Sequence, residues 1–360
     1  MKKWIVIPII VALCISLILG GCAPSIDPAE DATTEPTVAD NFTEPTAEPT
    51  TNPTKPTGGR SGSLSMGFEN TLTDEKGHFY QYEGGEMHMP FSIRASGTCA
   101  EHNYGILLFV DGQIQPYKTP DNDNYSYMHT FNPERRILTE LIFTPLTGDE
   151  GDVLEICFAG IYWPDYSYIE DGHKGMIITS GAMEGLTRLK MSATPNTVDC
   201  PGVTDRLLSW TVSQEPLTSK DTRGWTEQDF QEKMEFSFKV NPDVMKNRRS
   251  DMVWNISEDE PIKIRFEVWG NPYVHYGLVL FVDNEPVSVA PENLMFLTVE
   301  EGYKTIVEAE IDMTGFDGES VIYAALIPRN ARSTDIHTMS WPTMSNYFLL
   351  YEEDPVPKAP

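Results

Sequence analysis

The chain states one phrase twice. Residues 105–112 read Gly-Ile-Leu-Leu-Phe-Val-Asp-Gly, and residues 277–284 read Gly-Leu-Val-Leu-Phe-Val-Asp-Asn, 172 positions later, with Tyr104 and Tyr276 before each copy. An apolar run of this length that ends in Asp-Gly or Asp-Asn specifies a buried strand entering a two-residue hairpin turn. Repetition of the phrase implies two related domains, and neighbouring landmarks repeat in the same order. Ile262, Ile264, Phe266 and Val268 alternate with polar residues as Met89, Phe91, Ile93 and Ala95 do, the period of a half-buried strand. Thr314-Gly315 precedes an apolar run as Thr147-Gly148 does, and Asp335-x-His337 answers Asp171-x-His173. In this alignment Cys157 falls at the position of Ala325 and reads as a small buried hydrophobe.

The duplicated body is expected over 65–195 and 233–355, with a connector at 196–232 and a short tail at 356–360. Strands recur every ten to twenty residues between Gly, Asn, Asp and Pro turns, so the fold class is all-β: two tandem, related β-sandwich-like domains. The connector holds one strand candidate, 207–212, and one helix candidate, 226–234, with Thr226 as N-cap and Asp229 three residues on.

Ahead of the body lie two segments of different composition. Residues 1–21 carry Lys2 and Lys3, an apolar run and then Gly20 and Gly21, the layout of a secretory signal peptide. Leu19-Gly20-Gly21-Cys22 resembles the lipobox of bacterial lipoproteins. That resemblance implies cleavage before Cys22, lipid attachment to its sulfur, and a location on the outer face of a bacterial cell membrane. It covers these residues alone. Residues 22–64 repeat x-Pro-Thr units with almost nothing apolar, so they cannot offset their ordering entropy and are expected to form a disordered tether.

Net charge is −28, spread over both repeats without a basic stripe, and this excludes nucleic acid as a partner. Three cysteines remain beyond the signal (Cys99, Cys157 and Cys200), so at most one disulfide is available, and Cys99–Cys200 is the pairing left open. The chain contains no Gly-x-Ser-x-Gly elbow, no His-Glu-x-x-His, no phosphate loop, no dinucleotide fingerprint and no Cys-x-x-Cys. The reading is therefore a non-enzymatic binding protein with no cofactor, whose ligand is a glycan or another protein. A structural part in an envelope assembly is the alternative. A hydrolase with a spatially defined carboxylate pair is the third reading, and it would require a cleft with two acids about 5–10 Å apart.

The candidate ligand-binding residues are Tyr162, Trp163, Tyr166 and Tyr168 of an aromatic loop, whose rings suit the apolar faces of sugars. Packing onto the sandwich end is the structural alternative. The matching loop of the second repeat has no aromatics. Asp121 and Asp123, in Pro-Asp-Asn-Asp-Asn, have the alternating oxygen side chains that Ca²⁺ takes. The stretch lacks the Gly and distal Glu of a full calcium loop, and such runs also form ordinary turns. His173 and His337, being repeated, read as turn hydrogen-bonders.

Overall fold

The computed structural model describes residues 63–75, 77–132, 136–165, 187–242, 253–255, 260–290, 295–315, 319–329, 343–345 and 348–351. These are almost entirely strands, arranged as four sheets in two halves. Residues 58–360 form one compact unit. The protein is an all-β molecule of two related sandwiches. Among the described residues no helix is long and apolar enough to cross a membrane.

The first half has an outer sheet of five strands, in the order Ser63–Phe68, Met87–Ser96, Arg136–Phe143, Tyr117–Thr119 and Asn122–Ser126. Its inner sheet has seven strands and is centred on Tyr104–Val110 and Val153–Tyr162, which pair antiparallel from Tyr104↔Tyr162 to Val110↔Ile156. In the second half the outer sheet has four strands, in the order Leu207–Pro216, Tyr303–Ile311, Ile262–Gly270 and Met234–Val240. Its seven-stranded inner sheet is centred on His275–Val282 and Glu319–Arg329. Each inner sheet also contains one parallel pair, Gly77–Tyr82 with Thr187–Met191 and Val253–Asn255 with Phe348–Tyr351.

The repeated phrase is a pair of strands buried on both faces, and this explains why it never alternates. Ile106, Leu108 and Val110 point into the first sandwich, while Leu107 and Phe109 point the other way, into a third core shared between the halves. Val279 and Phe281 do the same from the second half, joined there by Tyr323, Ala325 and Ile327. A strand feeding two cores cannot carry a polar residue on either face, so its sequence is a continuous apolar run. Phe109 and Phe281, equivalent in the two repeats, meet edge to face at 6.4 Å between centroids. Equivalent residues in mutual contact are the mark of an isologous, two-fold-like interface.

Each phrase ends in the expected tight turn. Asp111 and Gly112 have φ of 49° and 81°, and Asp283 and Asn284 have 52° and 67°. Two successive positive values define the hairpin turn whose twist matches the strands. The Asp111 N–H donates to the Glu155 carbonyl at 2.7 Å, and the Asp283 N–H donates to the Val321 carbonyl at 2.8 Å, so the repeats share this detail. The first turn also packs against the second half. A Cβ added to Gly277 would lie 1.8 Å from the Gly112 carbonyl oxygen, and Arg329 Nε donates to Asp111 Oδ2 at 2.6 Å.

Strand register corrects one reading of the sequence. Cys157 faces Phe109 across the sheet, and the residue facing Phe281 is Tyr323. Cys157 is therefore the counterpart of Tyr323, not of Ala325. The repeat offset falls from 172 at the turns, Asp111 and Asp283, to 166 at the following strands, Cys157 and Tyr323, and composition does not reveal the step. Cys157 is buried, and burial pushes its thiol well above the ordinary range, so it is chemically inert.

The region expected to be a separate connector is built into the second half and is also tied to the first, where the Tyr127 hydroxyl donates to the Pro201 carbonyl at 2.6 Å. The Thr204 N–H donates to Pro286 O at 3.1 Å, and Leu207–Pro216 joins the second outer sheet along Tyr303–Ile311. The helix expected over 226–234 is a single turn, Asp229–Glu232. Its N-cap is Gln228, without a side-chain cap bond, and Thr226 and Asp229 instead bond each other across the turn before it: the Thr226 hydroxyl donates to Asp229 Oδ2 at 2.8 Å, and the Asp229 N–H donates to Thr226 Oγ1 at 3.3 Å. The Lys233–Asp229 ion pair, with the bonds the Thr226 N–H and hydroxyl donate to the carboxylate, holds the Asp229 carboxyl down at about 2.

Candidate binding surfaces

The aromatic loop starts where Val153–Tyr162 runs out beside Tyr104. Tyr162 lies opposite Tyr104 in the register, with ring centroids 5.3 Å apart. Trp163 follows at φ 54°, a left-handed backbone that a bulky residue rarely adopts and that tends to persist at functional sites. Its N–H donates to the Asn103 carbonyl at 2.8 Å, and its ring stacks on His102 at 3.7 Å and 20°. His102 also meets Tyr162 edge to face at 5.4 Å. Asn103 Nδ2 donates to Asp165 Oδ2 at 3.1 Å, and Asn284 of the second half reaches the Pro164 carbonyl at 3.4 Å.

Tyr162, Trp163 and His102 are half-buried and Asp165 is exposed. Tyr104 is fully buried, and its hydroxyl donates to the Cys99 carbonyl at 2.5 Å. Burial raises both phenol pKa values, with Cys99 adding to the shift in each, so both rings stay protonated donors. The arrangement offers ring faces beside an amide and a carboxylate, the chemistry that stacks and hydrogen-bonds a polyhydroxyl ligand. Tyr166 and Tyr168 lie outside the described residues, as do Cys22, His173 and His337. The sequence reading missed His102 and Asn103, which are about 60 positions from the loop. Their signal is their place just before Tyr104, legible only once Tyr104 is paired with Tyr162.

Asp121 and Asp123 are exposed at the Tyr117–Ser126 hairpin. Asp123 meets a lysine instead of fellow acids: Lys118 Nζ is 3.3 Å from Asp123 Oδ1 and 2.8 Å from Glu86 Oε1. The Asn122 side chain accepts from the Asn124 N–H at 3.1 Å, an ordinary Asx turn. Among the described residues no three His, Cys, Asp or Glu side chains gather as metal ligands. Cys99 and Cys200 are free thiols, so the pairing left open by the sequence is not formed.

Two hollows lie among the described residues. A crevice of about 380 Å³ between the halves is lined by Asp111, Asp152, Val153, Leu154, His275 and Arg329. A shallow hollow of about 730 Å³ lies on the outer sheet of the second half, around Arg265. Arg265 binds Glu267 at 2.8 Å, Glu308 at 2.7 Å and Glu215 at 3.3 Å, and Lys239 binds Glu267 at 2.9 Å. The carboxylates lining both hollows are engaged: Asp111 by Arg329, Asp152 by the Asp149 N–H at 2.8 Å, and Glu310 by Ser209 at 3.1 Å. Neither hollow presents the uncommitted acid pair that a hydrolase reading requires.

No family model matches the chain, and no curated protein matches it. Among solved structures it is similar to a putative membrane anchored protein from Corynebacterium diphtheriae, at 9% identity and a TM-score of 0.21 over 82% of this chain. The chain spans 60% of that protein's length. It is also similar to BcpA, the major pilin subunit of Bacillus cereus (9% identity, TM-score 0.22, 69% of each chain). A third likeness is to the tandem Ig repeats of Dlar (9% identity, TM-score 0.18, 82% of this chain and 99% of that one). At these TM-scores none of the three bears on the fold or role of this chain.

Proposed function

We propose that the chain is a lipid-anchored protein on the outer face of a bacterial membrane, held through Cys22, that binds a glycan with the aromatic end of its first half. The observation that carries the binding reading is Trp163. A bulky ring is kept in a strained left-handed conformation, stacked on His102 and half-exposed beside Asn103 and Asp165. Strain of this kind persists only where the surroundings enforce it. The lipobox-like Leu19-Gly20-Gly21-Cys22 supports the location, and two or more acyl chains give stable anchoring. The engaged carboxylates of both hollows favour binding over hydrolysis.

A glycan array probed with the full chain and with its Trp163→Ala and His102→Ala variants tests the site. Binding by the parent that both variants lose supports the assignment, and a parent that binds no glycan sinks it. Membrane fractionation of a Cys22→Ser variant tests the anchor separately, with release from the membrane fraction as the expected result.

A further inference from the structure

The strand Leu207–Pro216 is an open sheet edge. It is ten residues long, pairs along one side with Tyr303–Ile311, and stands last in its sheet with no partner on its other side among the described residues. Exposed edges of this length are normally blunted by charge, by proline or by shortness, because unpaired backbone groups recruit other strands. Here Leu207–Gln214 contains no charge and no proline; Glu215 and Pro216 come only at the end. The strand also exposes large apolar side chains: Leu208 at 57%, Trp210 at 40% and Val212 at 47%. Trp210 and Val212 lie opposite Ala309 and Val307, which face the core. They therefore sit on the inward side of the sheet yet are not covered there.

We infer that this edge pairs antiparallel with the same strand of a second copy, joining two four-stranded sheets into one continuous sheet. The sequence is complementary to itself in one register. Centred on Thr211, Thr211 faces Thr211, Ser209 faces Ser213, Trp210 faces Val212 and Leu208 faces Gln214, with each unlike pair occurring twice. An aromatic opposite a β-branched residue and hydroxyls opposite hydroxyls are favourable cross-strand pairs, and no like charges meet. The single charge, Glu215, faces Leu207.

Electrostatics supports a second copy at this place. Each chain carries −28, so two copies repel over most of their surface and approach most easily along a neutral strip. The acids at and beside the strip each have a basic partner: Arg265 lies 3.3 Å from Glu215 and 2.7 Å from Glu308, and Lys263 lies 3.8 Å from Glu310. More distant charges are screened beyond about 8 Å at physiological salt. The pairing preserves faces, so both copies place Trp210 and Val212 on the same side and each covers the other's. An unrelated extended peptide could use the same backbone groups, but it would not account for the self-matching register.

Sedimentation equilibrium of the full chain in detergent, over about a hundredfold range of concentration, reads the association directly. The expected result is a monomer–dimer equilibrium. Trp210→Lys/Val212→Lys, which sets lysines opposite lysines, raises the dissociation constant at least about a hundredfold. Mixing it with Trp210→Glu/Val212→Glu restores a dimer through opposite charges in the same register. A second arm is independent of those variants: Thr211→Cys forms a reducible covalent dimer on mild oxidation that the parent does not form. A parent that stays monomeric throughout overturns the inference, and so does a dimer that both charge variants leave intact. Failure of the Thr211→Cys dimer overturns the register. Association of a monomeric parent with some other chain through this edge would likewise replace the second copy as occupant.

Discussion

The two halves agree inside and differ at the rim. Inside, the phrase strands run to identical turns, Phe109 touches its own counterpart Phe281, and both Asp N–H groups bond the matching carbonyl. At the rim, the outer-sheet position beside Arg136–Phe143 is taken by the short Tyr117–Thr119 hairpin. In the second half that position is taken by the ten-residue strand Leu207–Pro216, drawn from the connector. The contrast has a physical source. A position buried between two halves is packed from both sides, so a change in one repeat is felt by the other. An edge answers only to its neighbour and to solvent, so each half was free to close its sheet in its own way.

The largest effects should test the symmetric interior. Phe109→Ala and Phe281→Ala should each cost about 3–5 kcal/mol in denaturant unfolding. Because the two rings touch, the double variant should cost less than the sum of the singles. Clearly unequal single losses, or strict additivity, would break the equivalence. Next come the glycines, where the repeats separate. Gly277→Ala drives a Cβ into the Gly112 backbone and should cost about 3 kcal/mol. Its counterpart Gly105→Ala meets only the Met128 side chain, which can swing away, and should cost about 1 kcal/mol in the same denaturant unfolding. Equal losses would mean that the halves do not meet at Gly112.

Arg329→Met should cost about 1–2 kcal/mol, since it leaves the buried Asp111 carboxylate without its cation. The smallest effect concerns pH. His129 is buried in the first half, its Nε2 is 2.7 Å from the Tyr117 carbonyl, and burial holds its pKa below the ordinary histidine value. A depressed pKa means that stability is fully present above about 6.5, the unfolded value, and falls as acid protonates the ring. The register gives Met295 as the counterpart, which faces Leu278 as His129 faces Ile106. A His129→Met variant should therefore flatten the melting temperature between neutral and mildly acidic pH. An unchanged slope would assign the acid sensitivity elsewhere.

The duplication and the all-β class were legible because they rest on local signals: a repeated phrase, alternation, and turn chemistry. The shared core was hidden in the same phrase. A continuous apolar run says that both faces are buried but not what buries the second one, and only Phe109 against Phe281 answers that. The strand candidate at 207–212 was visible, yet its extent to Pro216 and its role depend on pairing with residues about a hundred positions away. At the aromatic loop, Tyr162 and Trp163 could be singled out by type. His102 and Asn103 could not, because their proximity is a product of register. For the acids at 121 and 123, spacing alone did not reveal that Lys118 lies 3.3 Å from Asp123.

The shared core also fixes what kind of object a single half would be. Each carries a strip of large apolar side chains, Leu107 and Phe109 on one and Val279 and Phe281 on the other, that is buried only by its sibling. The chain is in effect a homodimer whose subunits have been fused and then allowed to drift apart. Fusion makes their association independent of how many molecules the cell produces. A gene encoding either half alone would yield a sticky, poorly soluble product, whereas the two halves made as separate chains in one cell should find each other and assemble.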